Sequence, residues 1–219
     1  MPELNRALVP STIQHGFRPR HSTITALLPV TTLVAQGFNT PKPAARTGHL
    51  SADLSKAFDV VDRVKLLRKV NATDFHPNLK RFLASYSRDR KFKVKYKEAV
   101  SKWRKSKVGV FQGAPMSLGL FNFFTSDWEP ESKEEEVDNA FADDIHGAAS
   151  NPDTTVVADS LNEKAGELAA WAENNGMTIS AQKSSITLFT PWTKQSTRPF
   201  PSSSRVRWYR WRSTQSYWE

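Results

Sequence analysis

Cysteine is absent from all 219 residues. Disulfide staples and zinc ribbons or knuckles built on thiolates are therefore excluded, and any catalytic metal must rest on oxygen ligands or histidine. No apolar run approaches the roughly 20 residues needed to span a bilayer. The start "MPELNRALVP" also lacks the basic-then-apolar form of a signal peptide. The chain is accordingly expected inside the cell, in nucleus or cytoplasm, with no membrane partner. Acidic residues are in short supply as well: 22 Asp and Glu face 31 Lys and Arg, a net charge of +9. Such a balance favours an anionic partner, nucleic acid or an acidic membrane surface, between which charge alone does not choose. No internal repeat is visible.

What is present fits a globular protein: 38% hydrophobic and 24% charged residues, in a length that buries one core or one domain and part of another. Residues 22–38, "STITALLPVTTLVAQGF", begin with an N-cap and carry helical spacing that Pro29 should kink or break. "HLSADLSKAFDVV" passes from a short strand into an amphipathic segment ending near "KLLRKV", so Asp53 falls at a strand-to-helix junction. "HPNLKRFLASYSRD" reads as a helix. "RKFKVKYKEAV" alternates basic with apolar residues, as an exposed strand pair with one basic face would.

Beyond the turn "VFQGAPMS", "LGLFNFFTSDW" is apolar enough for a buried helix, and "EPESKEEEVDN" reads as a solvated acidic loop. In residues 153–175 a helical stripe of Val157, Leu161, Ala165, Leu168 and Trp171 precedes Gly176, a natural C-cap. Two short strand candidates then flank a turn holding Gln182 and Lys183. The order lacks regular βαβ repetition and predicts an α+β fold.

The pair Asp143–Asp144 in "FADDIHGAAS" reads locally either as a metal-binding tip or as an acidic turn, where Asp bonds its own backbone. Other parts of the chain choose between these. "QHGFRPRHST" (14–23), "ADLSKAFDVVD" (52–62), "GVFQGAPMSLGLFNFF" (109–124), "FADD" (141–144) and "WAENNGMTISAQKSSITLF" (171–189) follow one another in an order that resembles the reverse transcriptase domain of non-LTR, LINE-type retrotransposons.

This resemblance implies a right-hand polymerase palm with partial fingers and no thumb. Residues 1–50 would form the fingers segment and 51–190 the palm, with 191–219 a disordered or out-of-frame tail. It implies RNA-directed DNA polymerase activity on an RNA template and DNA primer, with a deoxynucleoside triphosphate as donor and Mg²⁺, or Mn²⁺, as cofactor. Phosphoryl transfer of that kind uses two cations about 3.5–4 Å apart, held by carboxylates from separate elements. Asp53 and Asp143 are the implied principal ligands, and Asp144 the less direct one. A helix N-cap is the competing role for Asp53. Asp59 and Asp62 are expected to be structural or exposed.

By the same resemblance Phe58 would lie beneath the incoming sugar and exclude a 2′-hydroxyl; an ordinary core Phe is the alternative. Gln112 and Gly113 of "FQGAP" would shape the nucleotide and template pocket, although Phe111 and Ala114 depart from the usual Pro and Ser or Thr. Lys183 matches a lysine that protonates or stabilises departing pyrophosphate, or is simply an exposed turn residue. Arg18 matches an arginine near template or triphosphate. Ten Lys or Arg residues lie between Arg88 and Lys107, interleaved with Phe92, Tyr96 and Trp103. Arg90, Lys91, Lys93, Lys95, Lys97, Lys102, Arg104, Lys105 and Lys107 would contact primer-template phosphates, unless the hairpin is merely solvated. Two further readings stay open: a catalytically inactive retrotransposon remnant acting at most as a basic nucleic-acid-binding module, and an unrelated two-carboxylate Mg²⁺ hydrolase.

Overall fold

The computed structural model describes residues 11–191 and the backbone of a strand at residues 210–213. The first element is helix α1 (Thr23–Asn39). Its start is closed by a capping box, in which the Ser22 hydroxyl accepts from the Thr25 amide and the Thr25 hydroxyl accepts from the Ser22 amide. Pro29 lies inside α1 and does not end it. An internal proline costs a helix about 3 kcal/mol in isolation. Here Ala26, Val30, Leu33 and Gly37 are buried along one face, and that packing against the sheet outweighs the lost amide.

Strand β1 (Arg46–Asp53) is followed by the short helix α2 (Ala57–Val60) and by α3 (Arg63–Asn71). The single amphipathic segment expected here is thus two helices. They part at Asp62, whose carboxylate caps α3 by accepting from the amides of Val64 and Lys65. Helix α4 (Pro77–Ser87) leads into four two-residue strands: β2 (Lys91–Phe92), β3 (Lys95–Tyr96), β4 (Ala99–Val100) and β5 (Arg104–Lys105). They pair as two separate ladders, β2 with β5 and β3 with β4. Every residue in them is exposed, so this hairpin has no buried face against which a one-sided basic pattern could form.

Helix α5 (Pro115–Thr125) is the apolar one, and its buried residues include Leu120, Phe121, Phe123 and Phe124. These join Leu54, Val61, Leu66, Val70 and Leu83 in the main core. Each such side chain contributes roughly 1.5–3 kcal/mol on leaving water. Strands β6 (Glu136–Phe141) and β7 (Asp144–Asn151) form a hairpin, helix α6 (Thr154–Asn175) follows, and β8 (Ser185–Phe189) completes the sheet with β9 (Arg210–Ser213). The order is β6-β7-β1-β8-β9, antiparallel except for β8 with β9. Helix α6 buries Val157, Leu161 and Ala165 against Leu50, Ala149 and Ile186, while Val30 and Leu33 of α1 pack on Ala148. Gly176 closes α6 in the left-handed conformation.

The acidic run is a solvated loop only in part. Glu136 and Asp138 lie within β6 with buried side chains, and both pair with Lys164 of α6, at 3.0 Å for Glu136. Burial pushes the Glu136 carboxyl up, but hydrogen bonds from Ser160, the Lys133 amide and Lys164 outweigh it and hold the group below the usual carboxylate range. Among the described residues no helix is long and apolar enough to cross a membrane. The expectation of a disordered or out-of-frame tail lies outside the described residues, apart from strand β9.

Candidate active site

Strand register does most of the assembly. In the antiparallel pairing of β1 with β7, Asp53 stands opposite Asp144. In the β6–β7 hairpin, Phe141 stands opposite Asp144, leaving Ala142 and Asp143 as the turn. The Asp143 carbonyl accepts from the Leu54 amide at 3.2 Å, which fastens the turn to the end of β1. Ala142 has φ +58°, a left-handed conformation that costs a non-glycine residue roughly 1–2 kcal/mol. The turn is strained where the acidic pair begins.

The N-cap reading of Asp53 does not hold, since α2 starts after Lys56 with no side-chain cap. Instead Asp53 Oδ1 lies 3.2 Å from Lys183 Nζ, with the aspartate side chain 15% exposed and the lysine 69%. Asp53 Oδ2 is buried without a hydrogen-bond partner. Lys183 is brought there by the turn after β1's neighbour segment: Ser180 donates to the Asp53 carbonyl, and Lys183 and Ser184 donate back to the Ser180 carbonyl. Partial burial, then the charges of Asp143 and Asp53, push the Asp144 carboxyl above its ordinary range, against the pull of Lys183. Four predicted residues therefore meet at one end of the sheet.

The others are distributed around it. Phe58 is half-buried, stacked on Phe121 with centroids 4.3 Å apart and edge-on to the exposed Phe17 at 5.9 Å. It packs on the outside of the main core. Gln112 donates to Asp59 Oδ1 at 3.1 Å, linking two of the sequence blocks, and Gly113 has φ +86°, where a side chain would be strained. Phe111, which stands in place of the usual proline, carries the guanidinium groups of Arg63 and Arg90 over its ring, 4.9 and 4.8 Å from the centre.

Arg18 turns inward: its Nη1 donates to the carbonyls of Ser11 and Gln14 at 2.8 and 2.9 Å. Arg90 is similarly engaged, donating to the Tyr86 carbonyl and stacking on the Tyr86 ring. In the hairpin Lys93 sits over Trp103 and Lys97 over Tyr96, with the rings exposed.

Four residues with positional roles were not among the predicted site residues: Arg63, His49, His146 and Gln14. Arg63 is buried and donates to the carbonyls of Ser106, Val108 and Gly109, pinning the returning arm of the hairpin to the core. His49 and His146 pair at 3.2 Å on the sheet; burial lowers both, and the His146 charge helps bring His49 down to about 4. Gln14 bonds the backbone of Ala142.

A family model described as "Reverse transcriptase (RNA-dependent DNA polymerase)" matches residues 3–211. The chain belongs to the reverse transcriptase family. Its curated relatives include the "Probable RNA-directed DNA polymerase from transposon BS" of Drosophila melanogaster, 29% identical over 183 residues, covering 81% of this chain and 20% of that protein. The "RNA-directed DNA polymerase from mobile element jockey" of the same fly is 27% identical over 176 residues, covering 78% and 19%. This chain therefore spans about a fifth of the length of those relatives. It is a reverse transcriptase domain of the non-LTR retrotransposon kind.

Telomerase from Candida tropicalis, solved with a fragment of telomeric RNA, superposes with TM-score 0.60 at 15% identity over 85% of this chain and 32% of that one. The apo form truncated from the C-terminal domain gives 0.57 at 16% over 88% and 40%. At such identity the likeness concerns the fold, a polymerase palm.

Polymerases of this reverse transcriptase family use divalent cations. The donor set fits one in chemistry: hard carboxylate oxygens, one of them buried and unpartnered on Asp53, and a mutual repulsion that a cation relieves. Among the described residues no cluster of three or more ligating side chains is preassembled. Lys183 supplies the positive charge beside Asp53.

Proposed function

We propose that this reverse transcriptase domain carries RNA-directed DNA polymerase chemistry, transferring a nucleotide from a deoxynucleoside triphosphate to a primer 3′-hydroxyl on an RNA template. The observation that carries this reading is the cross-strand meeting of Asp53 with Asp144, with Asp143 in the adjoining turn and Lys183 against Asp53. Asp53 and Asp143 would hold Mg²⁺ or Mn²⁺, with Asp144 assisting. When bound, such ions lend Lewis acidity and neutralise developing charge on attacking and leaving oxygens.

The remaining roles fall to the chain's own groups. Lys183, exposed and already beside a carboxylate, is suited to swing from Asp53 to departing pyrophosphate and to give it a proton or charge. Gly113 leaves open space where a Cβ would stand, and Gln112 is exposed beside it, which suits close approach of template or nucleotide. Phe58 offers a ring at the edge of the core as a floor for the sugar. The lysines of the exposed hairpin supply sequence-independent attraction for phosphates, and the exposed Tyr96 and Trp103 offer stacking faces.

Primer extension on an RNA template with purified protein, Mg²⁺ and deoxynucleotides, run beside Asp143→Ala, tests the proposal. Extension that disappears in the variant supports it. Folded protein that binds primer-template without extending it would make the chain a nucleic-acid-binding module instead, and phosphate release without incorporation would point to a hydrolase.

A further inference from the structure

Gln14 is only 3% exposed, and its carboxamide closes on one backbone unit far along the chain. Its Oε1 accepts from the Ala142 amide at 2.8 Å and from the Gly16 amide at 2.7 Å, while its Nε2 donates to the Ala142 carbonyl at 3.1 Å. The flanking backbone docks on the edge strand β6: the His15 amide donates to the Ala140 carbonyl at 2.7 Å, and the Ala140 amide donates to the Ile13 carbonyl at 2.9 Å. Gly16 permits that approach, because a Cβ there would stand 2.3 Å from the Ala142 nitrogen. Asn122 of α5 holds the Gly16 carbonyl from the core side at 2.8 Å.

Ala142 thus has both of its backbone hydrogen-bonding groups committed to one buried side chain, while it adopts a left-handed φ that alanine disfavours. Strained backbone persists only where its surroundings over-determine it. The next two residues are Asp143 and Asp144, so the direction of their carboxylates follows from the dihedral angles of Ala142. We infer that Gln14 is a positioning residue for this turn, holding Ala142 so that the Asp143–Asp144 pair stays at the end of β1 where Asp144 stands opposite Asp53. The inference rests on the proposed role of those carboxylates. Only a carboxamide of this length supplies acceptor and donor together; glutamate keeps the acceptor and loses the donor.

The test uses the full 219-residue chain with Gln14→Ala and Gln14→Glu. Three readouts are amide hydrogen exchange, binding of Mn²⁺ alone, and the split between kcat and nucleotide KM in primer extension. In Gln14→Ala, exchange at Ala142 should quicken by about tenfold or more while Leu161 and Leu168 stay protected. Mn²⁺ affinity should fall by about 10–100-fold, the usual effect of removing a group that orients a ligand. kcat should drop with KM held. Folded Gln14→Ala with unchanged Ala142 exchange and unchanged Mn²⁺ affinity would overturn the inference. Should that variant not fold, Gln14→Glu decides by the same two readouts. If the unsubstituted chain binds no Mn²⁺ and extends no primer, the polymerase reading fails, and the exchange result still decides whether Gln14 holds the turn.

Discussion

Two hairpins of this domain are built to opposite specifications. The β6–β7 hairpin lies in the five-stranded sheet, paired along its length, with its turn held by Gln14 and by the Leu54 amide. The β2–β5 hairpin stands outside the core, exposed on both faces and joined by ladders of two residue pairs each. One presents carboxylates and the other presents cations. Under the proposed function the contrast suits the two tasks: carboxylates that hold a cation lose their effect if displaced by an ångström, whereas attraction to a phosphate backbone tolerates any arrangement that keeps charge nearby.

The largest effect should come from the fixed hairpin. Replacing Asp53 by Asn or Asp143 by Ala should reduce extension by on the order of a hundred- to a thousandfold without altering primer-template affinity, and Asp144→Asn should cost less. Equal losses at all three positions, measured in single-turnover extension, would remove the ranking of ligands.

The next largest concerns the sheet beneath that hairpin. His49 is buried neutral, with its pKa down from 6.5 to about 4, so between those values the unfolded chain binds a proton that the folded chain refuses. Stability should be full above pH 6.5 and decline on acidification by roughly 3 kcal/mol by pH 4, and His49→Gln should flatten that limb. Urea midpoints across this range report it.

The exposed hairpin should respond differently. Replacing Lys91, Lys93, Lys95 and Lys97 together by Ala should weaken primer-template binding by about tenfold or more at low salt and lessen the salt slope by about one unit per lost phosphate contact. Turnover of bound primer should stay the same. A fall in turnover equal to that of Asp143→Ala would erase the distinction between the two hairpins. Smallest of all, Trp103→Ala should cost about threefold in affinity and leave the melting temperature unchanged, since its ring is exposed and, among the described residues, carries Lys93 in cation–π contact.

The sequence made parts of this legible for reasons that are themselves local. The α6 stripe is buried at Val157, Leu161, Ala165 and Leu168 because a 3.6-residue period means one face inward, and Gly176 ends the helix where φ turns positive. Asp143 lies in the two-residue turn of the hairpin, Asp144 opens the strand after it, and Asp53 ends a strand, as the motif blocks implied. What stayed hidden depends on partners far away. Gln14 and Ala142 are 128 residues apart, and nothing around either announces the other. The burial of Glu136 and Asp138 follows from Lys164 beneath them, so a run that looks solvated is half interior. Pro29 is tolerated because α1 lies on the sheet, and Arg18 faces carbonyls of its own segment rather than solvent.

The alignment of Asp53 with Asp144 has a consequence for how such a gene can change. Side chains alternate along a strand, so inserting or deleting a single codon within β1 or β7 would send one carboxylate to the opposite side of the sheet, whereas a two-codon change preserves sidedness and only shifts the ladder. Length variation within these strands is therefore filtered by parity: odd steps abolish the pairing of charges outright, and even ones leave a sheet from which the pairing could be regained by substitution.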